Sequence, residues 1–308
     1  MLDDQKMLMM TKAVQKNVAG IPASSINHSP STIVSSPPSI LHPPFPILPL
    51  PCSFRVGVTS YVYPSDILPN VERLAGRVDD IELVLFESEQ TANLPSPEVV
   101  ARLAELGHQH NLSYTVHFPT DRKLGSEDAA ERTAHVAQIR RIVELLAPLP
   151  VHGYILHLEG VGLGDSAARV AQWQRAVAAE LPRLLAGMPP PDMFCVESLG
   201  YPFDWCAPLL GEFGLSVCAD VGHVWRAGGD VPDFLRTWLP RARVIHLHGE
   251  RDGRDHLPLT ELAPGRLEAF LCAARGFSGV VTLEVFEYDA ARLSIERLAQ
   301  CLANTQAG

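Results

Sequence analysis

Seven short apolar segments of this 308-residue chain carry His, Asp or Glu at or near their ends: IELVLFE (81–87), YTVHFP (114–119), YILHLEG (154–160), FCVESLG (194–200), VCADVGH (217–223), VIHLHG (244–249) and VTLEVFE (281–287). The residues able to do chemistry are His117, His157, Glu197, Asp220, His223, His246, His248 and Glu284. Several imidazoles mixed with carboxylates, and no thiolate required, suit Zn²⁺, Mn²⁺ or Fe²⁺ better than Ca²⁺ or Mg²⁺. A lone His at a strand end is ordinarily a packed residue. Recurrence at successive segments instead points to a shared metal or a reaction, because such a crowd of buried charge adds nothing to stability. Alternate residues of a strand share a face, which pairs His157 with Glu159 and His246 with His248.

The elements that must position these residues are also legible. Runs of this length rich in Val, Ile and Leu are expected to be strands of a buried parallel sheet. FRVGVTS (54–60) supplies a first strand, making eight. Helical periodicity fills the gaps at 65–76, with Ser65 as the expected cap, and at 95–111, 128–149, 166–188, 203–214, 231–241, 266–277 and 291–303. Strict alternation predicts an α/β fold, a single (β/α)8 barrel over residues 53–308, close to the ~250 residues usual for one. A doubly wound open sheet is disfavoured. Its glycine fingerprint is missing after strand one, and GVGLGD (160–165) lacks the third glycine. In such a barrel the functional groups gather at the strand C-termini.

Residues 1–52 are expected to form a disordered tail, since SSPPSILHPPFPILPLP (35–51) has neither helical nor strand period. No apolar run approaches the ~20 residues that span a bilayer. With 25 basic and 35 acidic residues the net charge is −10, which argues against nucleic acid as a partner. The six cysteines show no CxxC spacing, and Cys195 and Cys218 fall within core strands, so a reduced, cytoplasmic protein is expected. Trp173 and Trp238 lie in helices and are expected in the core. The oligomeric state is open.

At these residues the chain resembles the xylose-isomerase-like barrel superfamily, which includes the endonuclease IV type of phosphodiesterase. The resemblance implies metal ligands in order along the strands: His in an HxP context, His, Glu, Asp-x-x-His, His, Glu. His117, His157, Glu197, Asp220, His223, His246 and Glu284 match that order. The family's Asp-x-His after strand seven has no clean match, Asp255 and His256 being adjacent. RVGVTSYVYPSDILPNV (55–71), DIELVLFE (80–87), YTVHFP and HLHGERDGRDHLPL (246–259) are similar to the cobamide-remodelling phosphodiesterases of this superfamily, over about residues 53–305. That resemblance implies a corrinoid substrate and divalent ions, Zn²⁺ or Mn²⁺, in a number left open. The reaction implied is hydrolysis of the phosphoester of the nucleotide loop to a cobinamide and a lower-base riboside phosphate.

On this reading Glu197 is both ligand and catalytic. His248 or His256 orients phosphate or protonates the leaving oxygen. Glu87 and Glu159 orient ligands or contact substrate, Arg254 pairs with phosphate, and Tyr61 with Tyr63 offers a wall for a large planar ligand. Three other readings remain. A sugar isomerase or epimerase of the same superfamily would recruit Glu159, Glu197, Asp220 and Glu284 around one metal. Abasic-site DNA cleavage is disfavoured by the acidic balance, and a non-catalytic corrinoid or metal carrier would turn nothing over.

Overall fold

The computed structural model describes residues 45, 50–88 and 91–306. Its strands are β1 (Arg55–Thr59), β2 (Asp80–Val84), β3 (Ser113–His117), β4 (Val151–Leu156), β5 (Phe194–Glu197), β6 (Ser216–Asp220), β7 (Ala242–Leu247), β8 (Gly249–Arg251), β9 (Arg254–Leu257) and β10 (Val280–Leu283). Eight of them close in parallel as a barrel in the order β1-β10-β7-β6-β5-β4-β3-β2, as the alternation predicts. The helices are α1 (Ile67–Leu74), α2 (Pro97–His110), α3 (Ala129–Leu145), α4 (Ala167–Leu185), α5 (Ala207–Phe213), α6 (Val221–Arg226), α7 (Val231–Trp238), α8 (Arg266–Ala273) and α9 (Tyr288–Gln306). The expected tail, residues 1–52, lies outside the described residues except at 45 and 50–52. No helix among the described residues is long and apolar enough to cross a membrane.

Local chemistry explains where elements start and stop. Ser96 and Ser166 accept hydrogen bonds from Val99 and Arg169 at the first turns of α2 and α4, each cap contributing about 1 kcal/mol. Ser65 is not the cap of α1. Asp66 holds that position without a side-chain bond. Asn70 ties the turn instead, donating to the carbonyls of Tyr63, Ser65 and Asp66 and accepting from Tyr63 N at 2.7 Å. IELVLFE leaves the sheet after Val84 because Asn93 captures Phe86 N at 2.8 Å and the Val84 carbonyl at 2.9 Å.

VCADVGH is a strand only to Asp220. The Asp220 carboxylate accepts from His223 N at 2.7 Å, which starts α6 where the apolar pattern predicts the strand's end. Glu284 lies just past β10 rather than inside it. The segment 203–214 divides into a 3₁₀ turn (Phe203–Cys206) and α5. The antiparallel hairpin β8–β9 after β7 has no counterpart in the sequence pattern.

Inside the barrel, Ile155, Cys195, Cys218 and Val244 form a fully buried cluster beneath the strand ends. Trp173 and Trp238 are buried as expected. Register then sets the ionisable residues side by side at the C-terminal rim: Asp220 pairs with His246, and Glu197 lies beside Cys218.

Candidate metal centre

Seven widely spaced residues meet at that rim. His117, Glu197, Asp220, His246 and Glu284 are buried, as is His157, and His223 is partly exposed. Beside a Glu197, Cys218 and His246 group, three groups made only of these seven residues have donor atoms within 4.8 Å of one another: His117, His157 and Glu197; Glu197, Asp220 and His223; Asp220, His246 and Glu284. Glu197 belongs to two of these three. Its Oε2 lies 2.9 Å from His157 Nε2 and 3.3 Å from His117 Nε2, and its Oε1 faces His223 Nδ1 at 3.7 Å.

The arrangement passes a physical test for cation binding. His117 Nε2, His246 Nδ1, His248 Nε2 and Asp220 Oδ2 are buried without a hydrogen-bond partner. They approach neighbouring donor atoms at 3.2–3.3 Å without bonding to them, as expected of groups aimed at a common point. The opposite ring nitrogens are tied down: His117 Nδ1 lies 3.0 Å from the Phe118 carbonyl, and His157 Nδ1 lies 3.2 Å from Glu159. Backing of this kind fixes the tautomer and the ring direction.

Electrostatics agrees. Burial alone would lower the His157 pKa, but Glu197 and Glu159 overrule it and push the ring up to about 10. Burial would raise Asp220, yet His223 and His248 hold it well below the usual carboxylate range. The His246 ring is raised well above its ordinary value, burial notwithstanding, with Glu82 and Glu284 among the causes. These rings hold protons where a divalent ion would otherwise sit.

The remaining expected residues divide. His248 is wholly buried, its Nδ1 lying 3.0 Å from the backbone N of His256 and 3.1 Å from the Gly249 carbonyl, and its Nε2 faces Asp220 Oδ1 at 3.3 Å. Gly222 makes room for that ring, since a Cβ there would meet His248 atoms at 2.0–2.4 Å. His256, in the hairpin at φ +51°, reaches nearer the surface, its Nδ1 3.1 Å from the Glu284 carbonyl. His223, His248 and His256 form a further three-nitrogen group.

Asp255 lies 3.9 Å from His223 Nε2 but is held by Arg226 at 2.5 Å. Glu87 is tied to α3 by Arg141 and by Gln138 at 3.1 Å. Arg254 is exposed on β9. The Tyr61 hydroxyl accepts from Asn93 at 2.7 Å, and its ring lies 6.2 Å from that of Phe86. Tyr63 packs beside Tyr288 with Arg73 over its face.

Sequence reasoning missed Glu82, whose Oε2 lies 2.8 Å from His246 Nε2. Its signal was an acidic residue inside an apolar strand rather than at its end. Arg226, one turn after the DxxH, was missed as well.

A family model described as a xylose isomerase-like TIM barrel matches residues 75–305. The chain belongs to that family. Similar solved structures include a D-tagatose 3-epimerase-like protein, with TM-score 0.68 and 21% identity over 83% of this chain and 100% of that one. Endonuclease IV from Thermus thermophilus has TM-score 0.64 and 21% identity over 81% and 99%. The IOLI protein, solved with a binding zinc atom, has TM-score 0.60 and 16% identity over 82% and 97%. At such identities the likeness concerns the fold. No curated protein matches the sequence significantly.

Proposed function

We propose that the chain is a metal-dependent phosphodiesterase that hydrolyses the phosphoester of a cobamide nucleotide loop, releasing a cobinamide and a lower-base riboside phosphate. The observation that carries the hydrolytic reading is the sharing of Glu197 between a histidine pair, His117 and His157, and the Asp220–His223 group. A carboxylate common to two donor sets suits two neighbouring cations, and paired cations clamp the attacking and leaving oxygens of phosphoryl transfer. The corrinoid as substrate, and a cytoplasmic setting, rest on the sequence resemblance.

His117, His157, Glu197, Asp220, His223, His246 and Glu284 would hold the ions, with Zn²⁺ or Mn²⁺ suited to the donors. When bound, such an ion supplies Lewis acidity, acidifying water and offsetting charge on phosphate oxygens. The chain's own groups do the rest. Glu159 fixes the direction of the His157 ring, and His248 holds Asp220. His256, partly exposed at the rim, delivers a proton to the leaving oxygen in this reading. Arg254 on the exposed hairpin meets the phosphate, and Tyr61 and Tyr63 flank the corrin.

A second reading has one observation in its favour. Asp220, His246 and Glu284 group around a single position that Glu197 also approaches, which suits a one-metal sugar isomerase or epimerase. The deciding experiment incubates zinc- or manganese-loaded protein with a cobamide and, separately, with ketoses. Cobinamide formation, abolished in Glu197→Gln, supports the proposal. Epimerised sugar with intact corrinoid would replace it with the second reading, and tight corrinoid retention without turnover would indicate a carrier.

A further inference from the structure

Glu82 has no place in the ligand set, yet it is fully buried and touches a member of it. Its Oε2 lies 2.8 Å from His246 Nε2, both side chains being 0% exposed. In the ring, β1 and β10 separate β2 from β7, so the contact closes across the barrel's lumen rather than between paired strands. The other nitrogen of the same imidazole, Nδ1, has no hydrogen-bond partner. It faces Glu284 Oε2 at 3.2 Å and Glu197 and Asp220 oxygens at 3.8 Å. The His246 ring thus stands between one carboxylate behind it and three ahead of it.

A buried carboxylate contributes little to stability when half of it lacks a partner, and Glu82 Oε1 has none. A carboxylate that accepts a ring N–H does something else: it fixes the tautomer and makes the opposite nitrogen a better donor. We propose that Glu82 is a positioning residue for the metal, holding His246 so that the Nδ1 lone pair faces the ion shared with Glu197, Asp220 and Glu284. The inference holds for one ion or two, and for hydrolysis or epimerisation. Its failure is therefore separable from failure of the phosphodiesterase reading.

The test measures Zn²⁺ affinity of the full chain by competition with a chromophoric chelator, with no turnover assay. Glu82→Met keeps the volume and removes the acceptor, and should weaken Zn²⁺ binding about 10–100-fold. Glu82→Gln still accepts the ring N–H and should recover most of the loss. Melting of the chelator-treated proteins should show Glu82→Met less stable than the parent, because removing one partner of a buried pair leaves the His246 ring uncompensated. Should Glu82→Met not fold, Glu82→Asp serves in its place, since its shorter side chain breaks the 2.8 Å contact. Equal Zn²⁺ affinity in the parent and the acceptor-deficient variant would overturn the proposal. So would a Gln variant that binds no better than Met or Asp.

Discussion

Glu197 Oε2 lies 2.9 Å from His157 Nε2, a contact between the ends of neighbouring strands β4 and β5. The same carboxylate faces His117, His223 and His246. Among the described residues only His246, which faces Glu82, Glu197, Asp220 and Glu284, meets as many partners at the rim. Replacing it with Gln keeps its size and removes the charge that makes it a bridging donor. Glu197→Gln is expected to stay folded, to lose at least one bound ion, and to lose about a thousandfold or more in turnover, roughly 4 kcal/mol of transition-state stabilisation. Metal analysis and a corrinoid product assay on the same preparation check this. Full ion content with full turnover would contradict it.

The His157 ring, pushed up to about 10 by Glu197 and Glu159 against the effect of burial, carries a proton at pH 8 when no ion is present. A metal ligand must give that proton up. Ion binding at pH 8 should therefore release at least one proton per chain and weaken as pH falls. Calorimetric titration in buffers of different ionisation enthalpy measures the release, and binding heats that do not depend on the buffer would count against it.

Gly222 sits against the imidazole of His248, so an added methyl has nowhere to go. Gly222→Ala should destabilise the fold by about 1–3 kcal/mol and reduce activity, because a displaced His248 no longer holds Asp220. Denaturant unfolding and turnover together check this. A variant matching the parent in both would show that His248 moves freely.

Asp80 lies in β2 two residues before Glu82 and is wholly buried. Burial pushes its carboxyl up to about 6, from 3.8, despite the hydrogen bond it accepts from Ser113. The folded state then binds the proton more tightly than the unfolded chain does. Its stabilising contribution is complete below about pH 4 and is lost as pH rises through about 6. Asp80→Asn has no such group and should gain on the parent by up to about 3 kcal/mol between pH 4 and 7. Unfolding free energies across that range are the measurement, and a difference that does not change with pH would refute the assignment.

Much of this was legible in the chain because two signals coincide. Apolar runs mark β3 to β7, and an ionisable residue closing such a run, as at His117 or Asp220, has few reasons to be there other than a site. Where the signals separate, reading fails. Glu82 sits inside its strand and gave no terminal cue. The β8–β9 hairpin is polar from Glu250 to His256, with Leu257 alone apolar, so no apolar run announced its strands. Glu87 did end an apolar run, but its partners Gln138 and Arg141 lie about fifty residues away on α3 and leave no trace in local pattern. Capping of α6 by Asp220 was hidden for another reason: one side chain serves both as a strand end and as a helix start.

The sharing of Glu197 between two donor sets is tested most directly by counting divalent ions per chain in protein loaded with Zn²⁺ and freed of excess by gel filtration. Two or more ions in the parent, falling by at least one in Glu197→Gln, is the expected result. A single ion in the parent, unchanged by that substitution, would contradict it.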